Sequence, residues 1–301
     1  MTSARPYRIF NVALARTEDL SPLLRRLTFA GPEIADMTTL APDQRIKIFF
    51  PGADGQPPAI PATGDWYKDY KALPPAQRVP MRSYTIRHLR AQACELDVDF
   101  VLHGETGPAS RWALHARPGS PVQISAPNRH AQVEIGGYEW KPPASARQIL
   151  LAADETALPA LAGILEQLAI RTDAPSVEAF IEIPSARGRI DLPRWPGLAL
   201  HWLPRDAAGA ATRPGDLLLS AIRSATLPQG RASTSPALDD IDIDRVVPWD
   251  QAEAIDGDFY AWIAAESAAV MALRTFLVTQ RGLDRRALNL MGYWRLGKVY
   301  D

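Results

Sequence analysis

The stretch Arg82-Ser83-Tyr84-Thr85-Ile86-Arg87 decides the fold, because it puts charged, aromatic and hydroxyl side chains on one predicted strand. Alternate residues of a strand point to opposite faces, so Arg82 and Tyr84 share one face while Ser83 and Thr85 share the other. An arginine fork suits a phosphate, a tyrosine ring offers a plane for stacking, and a threonine hydroxyl can meet a ring nitrogen. Without a ligand, the same pattern describes a strand with a surface ion pair and a packed tyrosine.

Short apolar runs separated by turns surround this stretch on both sides. Several of them alternate apolar and polar residues, which is typical of strands. We expect six strands, at Tyr7–Ala15, Leu23–Phe29, Arg45–Phe50, Met81–His88, Glu95–Leu102 and Pro121–Ser125. This number predicts a six-stranded antiparallel β-barrel with one short helix near Ser110–Ala116. A long insertion rich in proline and glycine, residues 52–80, separates the third strand from the fourth.

From about residue 145 the pattern changes to strands that alternate with helices. The predicted strands are Gln148–Ala152, Val177–Ile183, Leu198–Leu203, Phe259–Ala264 and Ala287–Met291, and the predicted helices are Thr156–Ile170, Gly215–Arg223 and Ser267–Gln280. Such alternation predicts a doubly wound parallel sheet, which binds ligands at the carboxyl ends of its strands. We therefore divide the chain into a barrel domain, residues 1–143, and an α/β domain, residues 144–301. The polar, acidic stretch 226–258 is predicted to be a surface excursion.

Composition excludes several classes of function. The 301 residues carry a net charge of −1, which gives no global electrostatic reason to bind nucleic acid or an anionic membrane. A single cysteine, Cys94, excludes an intrachain disulfide framework and cysteine-ligated metal clusters within the chain. The five histidines show no metal-binding spacing, so we assign no metal site. With no signal-peptide core and no apolar membrane span, we expect a cytoplasmic protein. We also expect it to be a monomer.

A second polar segment, His103-Gly104-Glu105-Thr106-Gly107-Pro108-Ala109-Ser110, leads into the short predicted helix. Its glycines allow close backbone approach, and a helix N-terminus presents free N–H groups to an anion such as pyrophosphate. A tight turn before a helix, with no ligand, explains the same residues equally well.

The second domain carries three more candidate segments. Asp154-Glu155-Thr156-Ala157 joins its first strand to its first helix, although no G-x-G-x-x-G fingerprint is present. Ser185 and Arg187 follow the next strand, where a hydroxyl and a guanidinium favour a ribose 2′-phosphate over a free hydroxyl. A solvated pair of arginines explains the same residues equally well. At the end of the chain, Gly292-Tyr293-Trp294-Arg295 either anchors the tail or covers a ring-shaped ligand.

Taken together and in this order, these segments resemble the siderophore-interacting protein family of NAD(P)H-dependent ferric-siderophore reductases, within the ferredoxin-reductase-like flavoproteins. The resemblance runs from about residue 5 to the C-terminus and rests on R-x-Y-T-x-R, H-G-x-x-G-P-A-S-x-W-A, D-E-T-A-L-P-A and G-Y-W-R-x-G. It implies that FAD lies on the barrel and a nicotinamide nucleotide on the α/β domain. The residues that it implies for cofactor binding are Arg82, Ser83, Tyr84, Thr85, Asp99, Val101, His103, Gly104, Gly107, Pro108, Ala109, Ser110, Trp112, Asp154, Glu155, Thr156, Ala157, Ser185, Arg187, Glu266, Tyr293 and Trp294.

The resemblance further implies that a nicotinamide nucleotide reduces FAD, and that reduced FAD reduces Fe(III) chelates and releases Fe(II). Because of Ser185 and Arg187, we expect NADPH in preference to NADH. Glu266 and Trp294 would position the nicotinamide, and no side chain would serve as acid or base, since the cofactor carries the chemistry. A basic rim of Lys47, Arg129, His130 and Arg295 would attract an anionic ferric siderophore. Two alternatives stay open: a flavin reductase for a ferredoxin- or flavodoxin-like protein, and a non-catalytic siderophore-binding protein.

Overall fold

Two sheets contain the strands of the computed structural model, which describes residues 5–52, 55–61, 65–105, 107–208, 212–229, 246–253 and 257–298. Between Tyr138 and Glu139 the chain divides into two compact units. We call them the N-terminal unit and the C-terminal unit. In the described residues, no helix combines the length and the apolar character needed to cross a membrane.

The N-terminal unit contains seven antiparallel strands. They are β1 Tyr7–Ser21, β2 Leu24–Ala30, β3 Arg45–Phe49, β4 Met81–Thr85, β5 His88–Arg90, β6 Glu95–Val101 and β7 Pro121–Pro127, in the order β4-β3-β7-β1-β2-β6-β5. The predicted strand Met81–His88 divides into β4 and β5. The reason is a change of partner: Ile86 N donates to Gln44 O at 2.9 Å, whereas Arg87 N donates to Asp97 O at 2.9 Å. The chain thus leaves the neighbourhood of β3 and joins β6.

This change of partner curls the sheet into a half-barrel. Although four strands lie between β4 and β6 in hydrogen-bonding order, the ring of Tyr84 on β4 stacks on that of Phe100 on β6, with centroids 4.1 Å apart. Phe10, Phe29 and Ile48, all fully buried, fill the interior behind them. The barrel core is therefore closed by an aromatic pair.

Strand β6 shows why these residues form a two-sided strand. Leu96, Val98 and Phe100 alternate and enter the core, which is the pattern expected of a half-buried strand. On the other face, Asp97 and Asp99 are buried because arginines cover them. Arg90 Nη1 lies 2.6 Å from Asp97 Oδ2, and Arg26 Nε lies 2.7 Å from Asp99 Oδ1.

The insertion 52–80 has a folded part. Helix α1 spans Trp66–Ala72, and a single 3₁₀ turn follows at Pro75–Gln77. Ile60 and Tyr70 from this segment pack with Ile9, Phe49 and Met81 in a cluster that is separate from the barrel core. The insertion therefore covers the outer face of the sheet at β1, β3 and β4.

The C-terminal unit contains a six-stranded sheet in the order β10-β9-β8-β12-β13-β11. Its strands are β8 Gln148–Ala153, β9 Ser176–Ile183, β10 Leu198–Pro204, β11 Trp249–Asp250, β12 Phe259–Glu266 and β13 Leu288–Trp294. All neighbours are parallel except β11, which pairs antiparallel with β13 at the edge. Two residues are too few for a detectable sequence period, so β11 was not predicted.

The helices of this unit follow the predicted pattern with shorter ends. Helix α2, Pro108–His115, belongs to the N-terminal unit, whereas α3 Leu158–Ala169, α4 Asp216–Arg223 and α5 Ser267–Arg274 alternate with the parallel strands. A π-helical segment, Thr275–Gln280, continues α5 to the predicted end. The described part of the predicted excursion 226–258 includes β11, while its acidic run 239–244 lies outside the described residues.

Gly215, directly before α4, tests how closely α4 packs against α5. Its φ is +93°, and a Cβ there would clash with the Cβ of Ala269 on α5. We expect Gly215→Ala to lower the free energy of unfolding of the C-terminal unit by about 2–4 kcal/mol, through backbone strain and overpacking. Urea denaturation followed by circular dichroism measures this loss. Gly257→Ala is the control, because a Cβ there meets no atom within 4 Å; equal stability of the two variants would contradict the packing.

Candidate functional site

Strand β4 carries the predicted flavin-binding residues, and its register sets their surroundings. Tyr84 lies opposite Ile46 and Ser83 lies opposite Lys47, so Tyr84 packs against the barrel core while Ser83 is exposed on the other face. Thr85 is buried on the same side as Ser83, and Arg82 Nη1 donates to Met81 O at 2.7 Å. The alternation of Arg82 and Tyr84 against Ser83 and Thr85 is therefore as predicted from period two.

The loop before α2 is built around Ser110. The Ser110 hydroxyl donates to Gly104 O at 2.7 Å and accepts from His103 N at 3.3 Å, which fixes the turn against the first residues of the helix. Gly104 has a φ of +75°, a conformation that favours glycine. Gly107 precedes the helix, and Pro108 occupies the first turn, where a missing N–H costs little.

Two glycines of this loop have open space beside their backbone. A Cβ added to Gly104 or to Gly107 would meet no atom within 4 Å. Open backbone beside the first turn of a helix is a place where pyrophosphate binds, because N–H groups and the positive end of the helix dipole face the anion. The loop and β4 thus fit the dinucleotide cofactor that the sequence implies.

Three other predicted cofactor residues make their contacts within the N-terminal unit. Asp99 is held by the bidentate Arg26 and lies 3.6 Å from Arg87 Nε. Trp112 packs on Phe29 and Phe50, with ring centroids 6.1 and 5.4 Å away. Val101, at the end of β6, is half-buried. Their contribution to cofactor binding stays a prediction.

The predicted basic rim of the N-terminal unit falls into two groups. Lys47 Nζ lies 3.4 Å from Ser83 Oγ, and burial, followed by the charges of Arg45 and Lys71, lowers the pKa of this lysine. Arg129 donates to Ala35 O at 2.8 Å, and His130 Nε2 lies 2.9 Å from Asp36 Oδ1.

In the C-terminal unit, the candidate residues gather at the carboxyl ends of the parallel strands. Asp154 follows β8 directly and is 1% exposed. Its Oδ1 accepts from Thr156 N at 2.9 Å and Thr156 Oγ1 at 2.6 Å, and its Oδ2 accepts from Trp294 Nε1 at 2.6 Å. Burial and then the neighbouring Glu155 raise the pKa of Asp154 to about 7. This carboxyl group therefore ties the loop after β8 to the end of β13.

Glu266, the last residue of β12, caps helix α5. Its Oε2 accepts from Ala268 N at 2.6 Å and Ala269 N at 3.2 Å, while its Oε1 accepts from Arg295 Nη1 at 2.9 Å. The structure therefore pairs Arg295, predicted as a siderophore ligand, with Glu266, predicted as a nicotinamide ligand. Both roles stay predictions.

The remaining predicted residues lie on neighbouring segments. Ser185 Oγ accepts from Arg187 N at 3.3 Å in a 3₁₀ turn after β9, which leaves the Arg187 side chain exposed. Tyr293 stacks on Trp249 with parallel rings 6.0 Å apart. Ala157 is fully buried where α3 begins.

Sequence reasoning missed two charged residues at this edge. Arg205, directly after β10, donates to both oxygens of Glu155, and it also donates to Glu182 Oε1 at 2.9 Å. Glu182 is completely buried near the end of β9. The only signal in the sequence was a glutamate within an otherwise apolar strand end. Among the described residues, no cluster of three or more His, Cys, Asp or Glu side chains could hold a metal ion.

The half-barrel and the parallel sheet, with polar residues at its carboxyl edge, define a ferredoxin-reductase-like fold. Residues 13–131 match the siderophore-interacting FAD-binding domain, and residues 146–297 match the siderophore-interacting protein model. The chain belongs to the siderophore-interacting protein family.

Several relatives match over most of the chain. An uncharacterized protein of Mycobacterium tuberculosis is 32% identical over 99% of this chain and 94% of its own length. The ferric vibriobactin reductase ViuB of Vibrio cholerae is 28% identical, over 94% and 88%. The NADPH-dependent ferric-chelate reductase of Escherichia coli is 27% identical, over 71% and 78%.

Two solved structures are similar to this chain along nearly its whole length. A siderophore utilization protein from T. fusca is 27% identical, with a TM-score of 0.72 over 98% of this chain and 95% of its own. The siderophore-interacting protein SipS from Aeromonas hydrophila is also 27% identical, with a TM-score of 0.69 over 98% and 94%.

The Asp154–Trp294 hydrogen bond gives a pH-dependent prediction. Because the pKa of Asp154 is about 7 in the folded chain and ordinarily 3.8, the folded state holds more protons between these values. The free energy of unfolding should therefore fall as pH rises from about 4 to about 7. The indole N–H resonance of Trp294 should shift with a midpoint near pH 7, because protonation of Asp154 makes its carboxyl group a weaker hydrogen-bond acceptor.

Nuclear magnetic resonance of the indole N–H groups measures this midpoint, and Trp294→Phe assigns the resonance by its loss. In Asp154→Asn the same resonance should not move with pH across this range. A midpoint near 4 in the unsubstituted chain would contradict the burial of Asp154.

Proposed function

We propose that this chain is an FAD-dependent ferric-siderophore reductase that uses NADPH in preference to NADH. The observation that carries the proposal is that the two family matches fall on separate units. Each unit brings its own candidate site: β4 and the loop 103–110 in one, the carboxyl edge of the sheet in the other. The names of the relatives from V. cholerae and E. coli support the reduction of a ferric chelate as the reaction.

Bound FAD would supply the redox chemistry that links a two-electron nicotinamide donor to a one-electron ferric acceptor. In the N-terminal unit, Arg82 would bind the pyrophosphate, and the open backbone at Gly104 and Gly107 would admit it. Tyr84 and Thr85 would contact the flavin ring system. Tyr84 is held in place by Phe100, so its ring needs little rearrangement to receive a ligand.

In the C-terminal unit, the loop Asp154–Thr156 and the residues Glu266 and Trp294 would position the nicotinamide. Their side chains are already fixed by the hydrogen bonds between Asp154 and Trp294 and by the capping of α5. Pre-organised groups of this kind orient a bound ring without a further loss of side-chain entropy. No acid or base is required of them.

The ferric siderophore is the substrate, and Fe(II), which hard oxygen ligands hold more weakly, is the product. Lys47 is the best candidate for binding an anionic chelate. It is half-buried, and burial lowers its pKa first, followed by the charges of Arg45 and Lys71. A bound anion would offset the repulsion among these three cations. Arg129 and His130 of the same unit, and Arg295 of the C-terminal unit, are the other candidate residues for binding the chelate. We further propose that the chain acts as a cytoplasmic monomer.

Reconstitution tests the proposed function directly. Purified protein incubated with FAD should acquire a flavin absorption spectrum, and with NADPH and a ferric siderophore it should form Fe(II), detected with ferrozine. Arg82→Gln should weaken FAD binding by about 10–100-fold, since hydrogen bonds to charged groups contribute about 1.5–3 kcal/mol. Arg117→Gln, an exposed arginine of the same unit, is the matched control.

Protein that takes up no FAD would exclude the reductase. Protein that takes up FAD and is reoxidised much faster by a flavodoxin than by ferric chelates would favour an electron-transfer reductase instead. Binding of the chelate with no NADPH turnover would identify a binding protein.

Arg187 tests the preference for NADPH. Because its exposed guanidinium would pair with the 2′-phosphate, Arg187→Ala should raise KM for NADPH by about tenfold and leave KM for NADH nearly unchanged. Steady-state kinetics with both nucleotides measures the difference, and Arg194→Ala, another exposed arginine of the same unit, serves as control. Equal increases for the two nucleotides would show that Arg187 does not read the phosphate.

A further inference from the structure

Arg205 occupies the centre of a buried ion network in the C-terminal unit. Its Nη1 and Nη2 lie 3.1 and 2.9 Å from the two carboxylate oxygens of Glu155, and Nη1 lies 2.9 Å from Glu182 Oε1. The side chains of Arg205, Glu155 and Glu182 are 14%, 9% and 0% exposed. The guanidinium binds both carboxylate oxygens of Glu155 and one of Glu182. It thereby links the carboxyl ends of three strands, β8, β9 and β10.

Glu182 extends the network to helix α4. Its carboxylate accepts from Gly215 N at 2.7 Å and from Leu217 N and Leu218 N, both at 3.1 Å. These are backbone donors at the start of a helix, which lack a partner within the helix. The excess negative charge of two carboxylates against one guanidinium is thereby offset by the positive end of α4.

Helix α4 in turn positions helix α5. Gly215 approaches Ala269 so closely that a Cβ would not fit between them. The N–H of Ala269 is bound by Glu266. Arg205 is therefore connected to Glu155 directly and to Glu266 through Glu182, Gly215 and Ala269.

We infer that Arg205 is a positioning residue for the nicotinamide nucleotide: it orients Glu155 and fixes the spacing between Glu155 and Glu266 without touching the ligand itself. This inference rests on the proposed function, in which these two carboxylates lie beside the nicotinamide. Both carboxylates are almost completely buried, so rotation of either one is limited by the network. Glu155 and Glu266 are therefore already in position when a nucleotide binds, which lowers the loss of side-chain entropy on binding.

Arg205→Lys tests the inference, because lysine keeps the positive charge but lacks the planar fork of arginine. A lysine cannot bind the two oxygens of Glu155 and also one oxygen of Glu182 in the same geometry. We expect the dissociation constant for NADP⁺, measured by isothermal titration calorimetry on the FAD-loaded protein, to rise about tenfold, which corresponds to about 1.4 kcal/mol. KM for NADPH should rise with it while kcat changes less. The flavin absorption spectrum and FAD affinity should stay as in the unsubstituted chain.

Arg171→Lys is the matched control, since Arg171 binds the exposed Asp173 in the same unit and should leave all these values unchanged. Glu155→Gln separates positioning from general stability. If Arg205 acts through Glu155, then Arg205→Lys should add little to the loss of NADP⁺ affinity already caused by Glu155→Gln. Full additivity of the two losses would overturn the inference.

The outcomes distinguish the two proposals. Unsubstituted protein that binds FAD but no NADP⁺ would overturn both. Unsubstituted protein that binds NADP⁺, together with an Arg205→Lys variant that binds it equally well at a lower melting temperature, would overturn only the positioning role and leave the proposed function intact.

Discussion

The stacking of Tyr84 on Phe100 is the contact on which the N-terminal unit depends. It joins β4 to β6 across the open side of the sheet, and the backbone bond from Arg87 N to Asp97 O, two residues after β4, follows from the same crossing. Aromatic pairs add to the energy of the area that they bury, so the closure is both apolar and specific in geometry. Since Arg82 and Thr85 lie on the same short strand, the segment that closes the barrel also presents the candidate flavin site.

The C-terminal unit keeps several buried carboxylates at the edge of its sheet where the parallel strands end. Asp154 is satisfied by Thr156 and Trp294, Glu266 by the start of α5 and by Arg295, and Glu155 by Arg205. Each of these three buried carboxylates therefore has hydrogen-bond donors, as the cost of burying it requires. The result is an edge that is charged yet rigid, which suits the orientation of a ligand better than a mobile loop would.

Much of this arrangement could be predicted from sequence, because period and turn chemistry are local. Alternation in residues 82–85 predicted the faces of β4, and the run of strands and helices after residue 145 predicted the parallel sheet. The break at Ile86 could not be predicted, since it depends on the carbonyl of Asp97 on another strand. The same holds for Arg205, whose partners Glu155 and Glu182 lie 50 and 23 residues away. Sequence gives the type of such a residue but not its partner.

The insertion between β3 and β4 has a consequence for how the family can diversify. Its helix and Ile60 pack in a small cluster on the outside of the sheet. There the side-chain amide of Gln123 accepts from Ile60 N through Oε1 and donates to Ile60 O through Nε2. Alternation puts Lys47 and Ser83 on that same outer face, next to Phe49 and Met81. Because this segment packs outside the barrel core, its sequence can change without altering the aromatic interior. Such a change would alter the surroundings of Lys47, the residue that we propose for binding the chelate.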